Sequence, residues 1–169
     1  MAVFHPTSLA TQLKGKKVGL VLSAGYFGFF GHAGFLRAVK DAGIEISYYG
    51  GTSAGALVAA MAASGMEEFA IGERICEITR GDFWDPDPVG VVRGVLQGAN
   101  ATGILKGERF RTLLSNSLPV KTFEECPKPL LVLATNLTKG AAQVFTRREI
   151  APRVHASCAY PGLFRAVEI

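Results

Sequence analysis

Aspartate, histidine, cysteine and tryptophan are scarce in this chain of 169 residues, and long apolar runs are missing. Apolar residues make up 49% of it, yet glycine, serine or a charge interrupts every apolar stretch well short of the ~20 residues needed to cross a bilayer. No transmembrane helix is expected. Met1 to Lys17 has no early basic segment leading into an apolar core, which argues against a secretory leader and for a cytoplasmic protein. Cys76, Cys126 and Cys158 are odd in number, widely spaced and without C-x-x-C spacing. They form neither a disulfide framework nor a zinc site and are expected to be reduced core thiols. The net charge of +4 comes from scattered basic residues, with short clusters only at Lys14 to Lys17 and at Arg147-Arg148. Without concentrated basic side chains and groove-reading elements, nucleic acid is not an expected partner. Dispersed charge fits ordinary solvation best, with peripheral contact to anionic lipid headgroups as the other reading.

What is present is an alternation of strands and helices. The length fits one domain, able to bury roughly 70% of its unfolded surface, with residues 1–15 as an N-terminal extension. Val18 to Leu22 reads as a buried strand, Gly31 to Ala42 as a helix ended near Gly43, and Ile44 to Tyr49 as the next strand. Ala54 to Ala63 is helical, with Gly65 as its stop. Met66 to Thr79 is an outer helix whose apolar positions include Phe69, Ile75, Cys76 and Ile78. Two prolines make Asp82 to Pro88 a loop. Val89 to Gln97 is a short helix, Gly98 to Gly103 a connector, and Lys106 to Leu118 an amphipathic helix ended by Pro119. Leu130 to Ala134 and Ala142 to Thr146 are strands, and Glu149 to Ala159 is a helix. Apolar strands separated by helices imply an α/β fold with a mostly parallel sheet covered on both faces. No internal repeat or low-complexity tract is seen.

Chemistry concentrates where the second strand ends in Gly51-Thr52-Ser53-Ala54-Gly55, a G-x-S-x-G elbow. Glycines at 51 and 55 permit a tight strand-to-helix turn, and the Ser53 hydroxyl then projects at the strand's C-terminal end as a nucleophile would. A serine there is equally a normal helix N-cap. Three further segments stand around it: a glycine-rich loop at Gly25, Gly28 and Gly31 leading into His32-Ala33-Gly34-Phe35-Leu36, then Ala134 to Gly140, then Ala156 to Phe164.

In order and spacing these segments resemble the patatin-like phospholipases, from about Lys16 to Ile169. The resemblance implies a three-layer α/β/α sandwich and a Ser–Asp dyad in place of a triad. Ser53 would attack the ester carbonyl of an acyl lipid and water would release the acyl-enzyme, with no metal or cofactor. The backbone of Gly25, Tyr26, Phe27 and Gly28 would be the oxyanion loop, and Gly51, Thr52, Ala54 and Gly55 the elbow. The dyad aspartate, in an Asp-Gly-Gly or Asp-Gly-Ala motif, is expected shortly after Phe164. None of the four aspartates here, Asp41, Asp82, Asp85 and Asp87, is followed by such glycines, and the sequence ends at Ile169. The expectation is a chain cut short before its base, so that a C-terminal segment of the same protein completes the site and the 169 residues alone are inactive.

The loop departs from the family as well. Where the family usually has three consecutive glycines, then a basic residue and another glycine, this chain has Ala24, Gly25, Tyr26, Phe27, Gly28 and Phe29, with Gly25 alone in register and Gly28 in the basic position. Positive φ is costly for aromatic residues, so the turn is expected to be harder to form. His32 and His155 are weak candidates for a base. Tyr26, Phe27, Phe29, Phe30 and Phe35 are either core or an apolar lining for a fatty chain. Trp84 is either an interfacial anchor or packed on its own domain. Asp85 and Asp87 lack matched ligands and read as a solvated turn instead of a metal site. Two rival functions remain open, a non-catalytic lipid- or partner-binding module and a serine acyltransferase.

Overall fold

The computed structural model describes residues 8–96 and 103–169. Residues 98–102 of the expected connector, Gln97, and the first seven residues of the N-terminal extension lie outside them. In chain order the elements are α1 Leu9–Leu13, β1 Val18–Leu22, α2 Gly28–Asp41, β2 Ile46–Thr52, α3 Ala54–Ala63, α4 Glu68–Glu77, α5 Pro88–Leu96, α6 Glu108–Ser117, β3 Leu130–Asn136, β4 Ala141–Phe145 and α7 Ile150–Cys158. Single 3-10 turns occur at Arg80–Asp82 and Phe123–Glu125.

The sheet runs β1-β2-β3-β4, with the first three strands parallel and β4 antiparallel to β3. The reversal before β4 has local chemistry behind it. The Asn136 side-chain oxygen accepts from the Lys139 amide at 3.0 Å, and Gly140 takes φ 61°. Helix α3 is apolar all round and every one of its residues is buried, as a central helix requires. It packs across β1, β2 and β3, flanked by α2 on one side and α7 on the other. Leu22, Tyr49, Leu130 and Val132 meet it from the sheet, Leu36 from α2, Ile71 and Ile75 from α4, and Ile150 and Val154 from α7.

The class is the mixed α/β fold expected, with particular differences. Helix α2 begins at Gly28, three residues before Gly31, because Gly28 to Phe30 form its first turn. Strand β2 continues to Thr52, because Gly50 and Gly51 pair with Leu131 and Val132 in the ladder. In α4 the buried face is Ile71 and Ile75, while Phe69 and Cys76 lie on the opposite side and are exposed. Cys76 is therefore a surface thiol and not part of the core. Val18 to Leu22 is not the buried strand expected: only Leu22 is buried, and the sheet face away from α3 is open, with Val21 77% exposed and Tyr48, Leu131 and Val144 also exposed.

Two glycines set the spacing of the central layer. A Cβ on Gly51 would lie 2.5 Å from the Ala56 nitrogen, and one on Gly55 would lie 2.7 Å from the Ser23 carbonyl oxygen. No side chain fits between backbones that close. Gly34, inside α2, has nothing within 4 Å of the same position. Gly55→Ala is expected to cost about 3 kcal/mol or more in urea unfolding. Gly34→Ala is expected to stabilise by up to about 1 kcal/mol in the same measurement.

Candidate active site

Ser53 joins the end of β2 to the start of α3 with φ 52° and ψ −122°. An L-residue with a side chain avoids this backbone, which costs on the order of 1–3 kcal/mol. The carbonyl of Ser53 accepts the Leu57 amide at 3.2 Å and so opens α3, but its side chain makes no capping hydrogen bond. The hydroxyl of the elbow serine is not spent on the helix.

Its surroundings come from three elements. The Ser53 amide donates to Ser157 Oγ on α7 at 2.7 Å, and the Ser157 hydroxyl donates to the Leu133 carbonyl of β3 at 2.6 Å. Thr52 Oγ1 donates to the same carbonyl at 3.2 Å. Burial pushes the pKa of the Cys158 thiol up to about 12, partly offset by the Ser53 side chain, so it stays protonated near neutral pH. Neither Ser157 nor Cys158 stood out in the sequence except as part of the Ala156 to Phe164 segment. Nothing local marks a serine late in a helix as a backbone partner of a residue 104 positions away.

The loop from β1 to α2 turns without any left-handed residue at Tyr26 or Phe27, so the anticipated strain does not arise there. The Gly28 amide closes the turn on the Gly25 carbonyl at 2.8 Å. The Tyr26 and Phe27 amides donate to no group among the described residues. A Cβ on Gly28 would lie 4.0 Å from that of Ala54, so the N-termini of α2 and α3 converge beside Ser53. Their helix dipoles favour negative charge there. His32 Nε2–H donates to the Ser23 carbonyl at 2.9 Å, tying the loop to α2.

Aromatic rings cluster around the loop between β1 and α2. Tyr26 lies 5.6 Å from Phe27 and 6.2 Å from Tyr160 between centroids, and Phe29 links Phe27 to Phe30. Phe29 packs on the core, while Tyr26 and Phe27 are 71% and 68% exposed, and Phe30, Phe35 and Tyr160 are exposed too. Trp84 lies under the Arg80 guanidinium at 3.9 Å and packs on its own domain.

The aspartates all have work elsewhere. Asp41 pairs with Arg37, and Asp82 accepts from the Thr79 amide and hydroxyl. The solvated-turn reading of Asp85 and Asp87 does not hold. Asp85 caps α6 by accepting the Gly107 and Arg109 amides at 3.0 and 3.1 Å, and Asp87 is buried against Arg165 while accepting the Gly90 amide at 3.1 Å. Among the described residues no three His, Cys, Asp or Glu side chains cluster. His155 is 5% exposed, enclosed by Phe110 and Phe164, with both ring nitrogens unpartnered. Burial, reinforced by Arg111 and partly offset by Asp85, holds its pKa below the usual histidine range.

A serine forced into positive φ between a parallel strand and a buried helix marks the strand-turn-helix elbow of an α/β protein. Residues 20–169 match the family model described as patatin-like phospholipase, and the chain belongs to that family. It is 27% identical over 169 residues to an uncharacterized NTE family protein of Mycobacterium tuberculosis, covering 97% of this chain and 44% of the relative. It is 30% identical over 156 residues to patatin-like phospholipase domain-containing protein 7 of Rattus norvegicus, covering 91% of this chain and 11% of that one. The chain thus spans less than half the length of these curated relatives. In fold it is similar to VipD from Legionella pneumophila, with a TM-score of 0.56 at 20% identity over 88% of this chain and 43% of that one. ExoU of Pseudomonas aeruginosa, solved in complex with SpcU, gives a TM-score of 0.56 at 19% identity over 86% of this chain and 38% of that one.

None of the described hydrogen bonds joins His32 or His155 to Ser53. For His155 a folded pKa below the unfolded one means that the folded state binds fewer protons. Its stabilising contribution is therefore present above the unfolded value of about 6.5 and is lost as pH falls through the folded one. The melting temperature is expected to drop between pH 7.5 and 5.5, with a slope equivalent to at most about 1.4 kcal/mol per pH unit from this group. A His155→Leu variant should show a flatter profile over the same window.

Proposed function

We propose that Ser53 is the nucleophile of a serine lipid acyl hydrolase acting on a phospholipid, lysophospholipid or other acyl ester. The observation that carries this is the strained elbow of a patatin-like chain, φ 52° at Ser53, with its hydroxyl uncommitted to capping beside two converging helix N-termini. Ser53 Oγ adds to the acyl carbonyl as its proton leaves to a base. The tetrahedral oxyanion takes hydrogen bonds from backbone amides of the Gly25 to Gly28 loop, those of Tyr26 and Phe27 being free to donate. Collapse expels the alcohol with a proton and leaves an acyl-Ser53 ester, which water then cleaves. The exposed rings of Tyr26, Phe27, Phe30 and Tyr160, on and around the loop that would bind the oxyanion, suit contact with an acyl chain.

The base is an aspartate outside these 169 residues. Support comes from what is otherwise engaged: all four aspartates have partners away from Ser53, His32 is tied to Ser23, His155 is enclosed by phenylalanines, and the Cys158 thiol is too weak an acid to act as a thiolate base. The 169-residue chain is expected to turn over p-nitrophenyl acyl esters no faster than its Ser53→Ala variant. A longer form carrying a downstream Asp-Gly-Gly or Asp-Gly-Ala should be active, and Ser53→Ala should reduce its rate by about 1,000-fold or more. A fluorophosphonate probe should label that form at Ser53. No labelling would favour a binding module, and Ser53-dependent turnover by the 169 residues alone would place the base within them.

A further inference from the structure

We propose that Ser157 is a positioning residue for the nucleophile, holding the strained Ser53 peptide through a directed hydrogen-bond relay to the central strand; this rests on the reading of Ser53 above. An unfavourable backbone persists only where its surroundings over-determine it. Steric contact at Gly51 and Gly55 keeps the turn tight, and the bond from Leu57 to the Ser53 carbonyl fixes the helix side. The amide on the strand side is held by one group, Ser157 Oγ at 2.7 Å.

The direction of the relay follows from counting protons. A serine hydroxyl has one hydrogen, and that of Ser157 goes to the Leu133 carbonyl at 2.6 Å, which leaves its lone pairs to accept from Ser53. The same carbonyl takes the Thr52 hydroxyl at 3.2 Å, so the two residues at the turn are both tied to one oxygen of β3. Rotation of the Ser53 peptide would swing Oγ away from an acyl carbonyl that it must approach to about 3–3.5 Å, and a displacement of about 1 Å costs on the order of 100-fold in rate. Ser157 acts through Ser53, so its loss should appear in the chemical step and not in substrate binding.

The test uses the longer, active protein with Ser157→Ala, Ser157→Thr and Ser53→Ala. For Ser157→Ala, kcat and the rate constant for fluorophosphonate labelling should fall about 10- to 100-fold with KM within about twofold of wild type. Ser157→Thr, which keeps the hydroxyl, should restore most of both. Amide hydrogen exchange at Ser53 should quicken by about tenfold or more in Ser157→Ala and stay slow in Ser157→Thr. Should the alanine variant not fold, Ser157→Cys keeps the volume while weakening the acceptor and should show the same losses. Unchanged kcat and Ser53 exchange in a folded Ser157→Ala or Ser157→Cys variant would overturn the proposal. So would a parallel rise in KM. Absence of labelling in wild type, with the exchange effect intact, would instead overturn the nucleophile reading and leave Ser157 a strut of the fold alone.

Discussion

The approach of backbone to backbone where β1, the elbow and α3 meet governs the rest of the structure. Gly55 lies against the carbonyls of Leu22 and Ser23, and Gly51 lies against Gly55 itself, at separations that leave no room for a methyl group. Helix α3 can then sit deep on the parallel strands, which is why its ten residues are all buried and why seven of them are alanine or glycine. That depth fixes the turn at residue 53, and the turn in turn demands a left-handed φ from a residue that is not glycine. Packing and strain are thus parts of one arrangement: tight contact on either side of Ser53 supports the conformation it would otherwise avoid.

Around this contact the polar groups are arranged so that Ser53 Oγ is not consumed by local structure. Capping of α3 falls to backbone alone, and the amide of Ser53 is satisfied from α7. His32 holds the preceding loop by its own carbonyl instead of reaching for the serine. Burial works the other way at Asp87, whose carboxylate is kept near Arg165, and at His155, which is kept neutral among aromatic rings. Asp87 and His155 therefore serve the architecture, while the groups at the elbow are uncharged: backbone dipoles, the Ser157 and Thr52 hydroxyls and a protonated thiol.

Much of this was legible in the sequence where a signal is local. Val18 to Leu22 and Leu130 to Ala134 are continuous apolar runs bounded by polar residues, and Ala54 to Ala63 has the composition of a fully buried helix; the structure has each of them in place. The small residues flanking Ser53 likewise state their steric purpose. Illegible features depend on distant partners. Gly50 and Gly51 look like a turn until their ladder partners in β3 are known, and Gly28 looks like loop although it starts α2. Asp85 and Asp87 look solvated between prolines, yet the amides and the guanidinium that take them up are at Gly107, Arg109 and Arg165. Ser157 is hidden in the same way, since a single hydroxyl acquires meaning only when α7 is laid against the elbow.

The contrast between two cysteines has a chemical consequence. Oxidants and alkylating agents react with thiolates, and a thiol whose pKa sits near 12 offers almost none at neutral pH. Cys158 therefore gives Ser53 a soft, weakly polar neighbour with little thiolate at neutral pH, whereas Cys76 stands exposed on α4, on the side away from the core. Of the three free thiols Cys76 alone is exposed, Cys126 and Cys158 being half-buried with raised pKa values, so thiol reagents meet the outer helix first and a label at Cys76 sits away from the elbow.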